Sequence, residues 1–340
     1  MTALLADYGL FLAKLLTVAA IIVVIGGAIA GMARRQQQEP ELVIERLNDR
    51  YERMALAIKR ATLSQDAWKK VRKDARARDK ARRKGESSAK RVFVLDFRGD
   101  IRASATTSLR EEVSAVIAAA EQGDRVLLRL ENAGGTVHEH GLAASQLARL
   151  KAAGLHLTVA VDKVAASGGY LMAAMGDRIL AAPFAILGSI GVIAQLPNFH
   201  RWLEARGVDF EQVTAGRYKR TLTVFGENTE AAREKLREEL EDIHRLFRDE
   251  VARHRQAVDV EAVATGEAWY GTRALELKLV DELGTSDDWL LQAAAEADLL
   301  HVHWQLKRKL PERLARRSAA AWAGVFDALA DRAWRDRLMR

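Results

Sequence analysis

Three textures of apolar and polar positions succeed one another along the chain. Residues 8–32, YGLFLAKLLTVAAIIVVIGGAIAGM, are apolar all round and carry one charge, Lys14, near their start. A helix of that length exceeds the roughly 20 residues that cross a bilayer, and Lys14 lies close enough to the end to snorkel toward headgroups. Asp7 precedes the run and Arg34 and Arg35 follow it, unlike the basic start and small-x-small exit of a cleaved signal peptide. Residues 1–33 are therefore expected to be a retained membrane anchor. From 34 to 90 the texture is polar and basic, with apolar positions at helical spacing in ELVIERLNDRYERMALAIKRA. This predicts a helical connector, a solvated spacer in its plainest reading and an anionic-lipid contact in the other.

From residue 91 short apolar runs alternate with helical ones: RVFVLDF, SLREEVSAVIAAAEQ, RVLLRL, GLAASQLARLKAAG, HLTVAV. Strand, helix, strand, helix, strand is the pattern of βαβ units, which build a mostly parallel α/β sheet with functional loops at the carboxyl ends of its strands. The uncharged run 179–196, ILAAPFAILGSIGVIAQL, is long enough to suggest a second span. Pro183, Gly188 and Gly191 interrupt it, so strands and a tight turn inside the domain are expected instead. A long amphipathic stretch, ENTEAAREKLREELEDIHRLFRDEVARHR, and a short module, GEAWYGTRALELKLVDELGT, complete a domain over 91–300. The basic amphipathic tail 301–340 is expected to form a helix packed on a neighbouring subunit in its plainer reading, or touching membrane in the other.

A length of 340 residues accommodates one main domain with appendages. The absence of cysteine removes disulfides, thiolate metal sites and cysteine nucleophiles, and leaves serine, threonine or carboxylate chemistry. The net charge of +7 calls for an acidic partner. Trp68 is the one tryptophan in the basic connector, where a nucleic-acid arm would interleave several aromatics. Nucleic acid is set aside and membrane lipid retained.

The chemistry-bearing residues follow strands. Ser167, in DKVAASGGY, leaves a strand and precedes two glycines that open a helix. There first-turn N–H groups are free and glycine permits a close approach of substrate backbone; its plain alternative is a serine N-cap. Asn132-Ala133-Gly134-Gly135 closes the preceding strand, either as a simple turn or as a loop aiming a backbone N–H at a substrate carbonyl. Lys219 sits between basic neighbours in GRYKR, where burial and like charge would favour a neutral amine able to take a serine proton, or where the loop is simply solvated. His138 and His140 lack an evident third ligand and are read as loop lining, and His200, His244, His301 and His303 as ordinary surface or helix positions. Nothing in the sequence ties Asp162 to a base.

In order and spacing these motifs resemble the signal peptide peptidase A family of bacterial membrane serine-lysine peptidases, in its shorter SohB-like branch. The segments that carry the likeness are ENAGGTV, DKVAASGGYLMAAMGDRILAAPFAILGSIGVI, TAGRYKRTLTVFGENTE and GEAWYGTRALELKLVDELG. The resemblance implies a crotonase/ClpP-like α/β fold, Ser167 as nucleophile and Lys219 as base. It further implies that Ser189 holds the lysine amine and that Gly168 with Gly134 or Gly135 supplies the oxyanion N–H groups. Ala133 departs from the proline that relatives commonly carry there. No metal or cofactor is implied. The substrates implied are peptides such as remnant signal peptides or membrane-protein fragments, and the assembly a homo-oligomer. A vestigial membrane scaffold and an acyl-CoA enzyme of crotonase type are the competing readings. Charge places the domain on the cytoplasmic side of the inner membrane, whereas the resemblance places it in the periplasm.

Overall fold

The computed structural model describes residues 40–83 and 90–306, together with residue 17. The expected anchor, residues 84–89 of the connector and the tail beyond 306 lie outside the described residues. Residues 43–303 form one compact unit, described below; of the second unit, residues 1–42 and 304–340, only residues 17, 40–42 and 304–306 are described. Among the described residues no helix is long and apolar enough to cross a membrane.

The chain runs β1 (Pro40–Arg46), α1 (Leu47–Thr62), α2 (Gln65–Arg83), β2 (Lys90–Arg98), α3 (Thr106–Ala119), β3 (Arg125–Glu131), α4 (Val137–Ala152) and β4 (His156–Val161). There follow β5 (Val164–Ala166), α5 (Gly168–Ala174), β6 (Arg178–Ala181), β7 (Ile186–Gly188), α6 (His200–Glu204) and α7 (Glu230–His254). The remainder is α8 (Val260–Val263), β8 (Ala268–Tyr270), α9 (Gly271–Glu276), β9 (Glu282–Leu283), α10 (Ser286–Ala293) and β10 (Ala297–Leu306). Seven strands form the main sheet in the order β1-β10-β2-β3-β4-β6-β9, and β5-β7-β8 form a small second sheet. From β10 to β9 the main-sheet pairs are parallel, as expected of βαβ units.

Both faces of the main sheet are covered, which is why its strands read as near-continuous apolar runs. Val92 and Val94 of β2 join Leu127, Ala160, Leu180 and Leu299 in one core layer, closed by Leu47 of α1 and Leu290 of α10. Phe93, Leu95 and Phe97 alternate to the opposite face and are equally buried, as are Leu109 and Val113 of α3 and Leu147 and Leu150 of α4. Two boundaries differ from the sequence reading. The connector is not a helical spacer throughout: residues 40–46 form an edge strand, Leu47 is buried and Tyr51 packs on the core. The domain does not stop at 300 either, because β10 carries on through His301, Val302 and His303 as strand.

Candidate active site

Three strand ends converge on Ser167. Asn132, just beyond β3, bridges to Ala165 of β5: its N–H donates to the Val164 carbonyl at 2.9 Å, and its own carbonyl accepts from the Ala166 N–H at 3.0 Å. In the small sheet Ala166 is in register with Gly188. Ser167 and Ser189 are the next residues of those two strands, whose backbones run about 4.8 Å apart. The Ser167 N–H donates to the Gly188 carbonyl at 2.8 Å, and the Ser189 N–H to the Glu267 carbonyl at 2.6 Å.

Both serines sit at φ 52°, a region that side-chain-bearing residues rarely occupy. Ser167 makes the sharp strand-to-helix turn into α5, with ψ −123°. Backbone strain of this kind is held only where the surroundings over-determine it. Here they do: a Cβ on Gly134, itself at φ 90°, would stand 2.8 Å from both the Ala166 carbonyl oxygen and the Ser167 Cβ. A Cβ on Gly168 would meet the His140 ring at 2.5 Å, and one on Gly169 the Asn132 carbonyl oxygen at 2.1 Å. The two glycines after the serine are thus required by contact with the preceding strand end and the start of α4. Behind them Tyr170 is fully buried and donates its hydroxyl to the Leu279 carbonyl at 2.9 Å. Burial pushes its titration well above the ordinary phenol range.

Ser167 opens into two cavities. One, about 780 Å³, is lined by Ala133, Gly134, Gly135, Ser167, Ser189, Val192 and Ile193, and across from them by Arg237, Leu240, Glu241 and His244 of α7. The other, about 450 Å³, also touches Gly168 and is mostly apolar, with Val137, Ala144, Leu171, Met175, Ile243 and Phe247 in its walls. A third, about 650 Å³, lies between the 210–229 segment and α7 and includes none of the candidate residues.

The structure therefore brings Ser167, Ser189, Gly134, Gly135 and Gly168 together. Lys219 is not with them. It lies in an exposed turn in which its N–H donates to the Gly216 carbonyl at 3.1 Å, and it lines neither Ser167 cavity. Burial among its arginine neighbours, expected from the sequence, is absent within one chain. The Gly134 N–H donates to Asn132 Oδ1 at 2.9 Å, so Gly135 is the member of the pair whose N–H faces no such competition. Asp162 accepts from the Ser286 N–H at 2.8 Å and from its hydroxyl, which is a structural role at the start of α10.

Sequence reasoning named two residues without finding their roles: Asn132, read only as part of a turn, and His140, read as loop lining but buried in α4. Asn132 is 1% exposed: its amide reaches Met172 Sδ at 3.3 Å, and its Oδ1 lies 3.2 Å from His140 Nε2. His140, also 1% exposed, closes the network through Nδ1 to the Thr136 carbonyl at 2.9 Å. Together they brace the Gly134 turn against α5. A polar residue at a strand end, two positions before the first glycine of a pair, was the available signal for Asn132. His138, by contrast, is exposed beside Glu139, and His244, read as ordinary, lines the larger cavity.

The probable protease SohB of Haemophilus influenzae is 43% identical to this chain over 346 residues, 98% of each. The probable protease SohB of Buchnera aphidicola subsp. Schlechtendalia chinensis is 46% identical over 298 residues, 84% of this chain and 98% of that one. Among solved structures a membrane-bound stomatin-specific protease aligns at 13% identity and a TM-score of 0.39, covering 61% of this chain and 86% of its own. The model of the peptidase family S49 N-terminal region matches residues 3–147, and that of peptidase family S49 matches residues 149–300. The serine-bearing strand-to-helix turn falls inside the second match, and by this coverage and identity the chain is a protease and belongs to peptidase family S49.

Proposed function

We propose that the chain is an inner-membrane-anchored endopeptidase in which Ser167 is the nucleophile and Lys219 the general base. Lys219 Nζ takes the Ser167 hydroxyl proton while Oγ attacks the peptide carbonyl. The N–H groups of Gly168 and Gly135 receive the oxyanion, and the proton passes to the leaving amine. Water then hydrolyses the acyl-enzyme by the same steps in reverse. Donors fixed before the reaction stabilise charge as it develops, which is usually the largest single contribution to such catalysis. Ser189, just past the end of β7, holds the lysine amine in line through its hydroxyl.

The observation that carries this reading is the strained Ser167 at φ 52°, pinned by Gly134 and opening on cavities of about 780 and 450 Å³. The apolar character of the smaller cavity favours hydrophobic side chains next to the scissile bond, as remnant signal peptides and membrane-protein fragments supply. Because Lys219 is exposed and outside both cavities in one chain, the dyad is completed in a homo-oligomer, where the 207–228 segment meets a neighbouring copy. That segment exposes Val208, Phe210, Val213, Tyr218 and Phe225, more apolar surface than an isolated loop ordinarily shows to water.

The test is cleavage of a quenched hydrophobic peptide by detergent-purified protein, comparing the native chain with Ser167→Ala and Lys219→Ala. Loss of turnover by at least about 1000-fold in each variant, with folding intact, is expected. Full activity in either variant, or a native chain that cleaves nothing, would refute the dyad.

A further inference from the structure

Leu47, Tyr51, Met54 and Ile58 stand at i, i+4, i+7 and i+11 of α1, a spacing that puts all four on one stripe of the helix. The first two pack on the core. The last two stand 55% and 67% exposed. The helix therefore overshoots the sheet that it covers and carries its apolar stripe into the open. Beyond the turn at Leu63, α2 carries nine Lys or Arg residues against three Asp, and those on its first turns, Lys69, Lys70 and Lys73, are exposed.

We infer that the far half of α1 and the basic α2 form a membrane-surface contact that takes anionic phospholipid headgroups and lays Met54 and Ile58 at the level of the upper acyl carbons. The inference rests on reading residues 8–32 as an anchor. Only 14 residues, 33–46, separate that run from α1. Fully extended they reach about 50 Å, which limits how far the start of α1 can stand from the end of that run. An apolar stripe beside dense positive charge is what an interfacial helix presents to anionic lipid. A second copy of the chain is the poorer occupant, since a stable protein interface needs about 800 Å² on each side and two side chains fall well short. Nucleic acid is poorer still, because Trp68, the one tryptophan here, is half-buried and offers no open stacking face.

The chain contains no cysteine, so Ile58→Cys in the full-length protein accepts a single environment-sensitive dye. The labelled protein is reconstituted in vesicles of phosphatidylglycerol mixed with phosphatidylcholine, and in phosphatidylcholine alone. Quenching by brominated acyl chains is expected in the mixed vesicles. It should fall to about half or less in phosphatidylcholine alone and in a Lys69→Glu, Lys70→Glu, Lys73→Glu variant whose peptide cleavage in detergent is unchanged. A dye that stays water-accessible in both vesicles overturns the inference. So does a dye shielded from water yet not quenched by the brominated chains, which would mean a second copy or another part of this chain, or one shielded only when RNA is added. Carbonate washing reads the anchor separately. Protein retained with a wet dye refutes this surface alone, whereas protein washed off whose dye was quenched refutes the anchor and leaves the surface standing.

Discussion

Ser167 occupies a backbone conformation that glycine adopts freely and serine does not. Replacing it with glycine should therefore raise stability by about 1 kcal/mol while abolishing turnover, measured by urea unfolding and peptide cleavage. If Ser167→Gly is less stable than the native chain, the φ of 52° is not a strained state. Gly134→Ala tests the opposite side of the same contact. Its methyl would fall 2.8 Å from the Ser167 Cβ and 3.1 Å from the Gly168 nitrogen, displacing the proposed nucleophile and oxyanion donor together. A loss of about 100-fold or more in kcat, with KM little altered, is the expected outcome. Asn132 explains why this arrangement was only half legible. The glycines announced a turn, and Asn132 two residues before Gly134 suits the Asx turn in which its Oδ1 accepts the Gly134 N–H, but nothing in ENAGG reveals that the same oxygen also meets His140 Nε2 on α4.

At the level of strands and helices, alternation and spacing located every element from β2 to β4, and Pro183 and Gly188 correctly broke the uncharged run into β6 and β7. The misreadings were at the sheet edge. In β1, Leu42 and Ile44 follow a period of two but are embedded in a longer helical pattern, and an edge strand needs no continuous apolar run. In β10, His301 and His303 fall where an apolar residue would mark a strand. Their polarity is accommodated because His301 Nε2 lies 3.1 Å from Asp96 Oδ2 on the adjoining strand, and Arg129 on the next strand donates to the same carboxylate. Burial alone would raise the Asp96 pKa, but these bonds more than reverse it, to about 2 from 3.8. A carboxylate depressed in the folded state stabilises the fold above its unfolded pKa and loses that contribution as pH falls. Asp96→Asn should accordingly flatten the decline of unfolding free energy between about pH 4 and pH 2. At pH 7 it should cost about 1 kcal/mol, a modest figure because the side chain is 38% exposed and partly screened. Equal acid sensitivity in native and variant chains would remove this ion cluster from the stability of the sheet.

At the scale of the whole molecule the proposed dyad rests on a pair of motifs legible in the sequence, whereas the position of Lys219 relative to Ser167 was not legible there. Some fifty residues and several turns separate them, and one folded chain leaves the lysine in solvent. Assembly supplies a direct prediction. Ser167→Ala and Lys219→Ala proteins, each inactive, should regain measurable cleavage when mixed under conditions that allow subunits to exchange, because some sites then pair an intact serine with an intact lysine from the other variant. Mixtures that stay as inactive as their components would place both residues of each working site in the same chain.

The two walls of the Ser167 site differ in kind, and this sets how the enzyme can change. The rear is backbone against backbone: Gly134 against Ala166, Gly169 against Asn132, Gly188 against the Glu267 carbonyl. The front is a row of side chains on α7, Arg237, Leu240, Glu241, His244, Ile243 and Phe247, which touch the cavities from one helix. Selection for new cleavage preferences in a library spanning the gene should leave the rear glycines untouched and accumulate its winners along that single helix, where a changed side chain reshapes the recess without shifting the nucleophile.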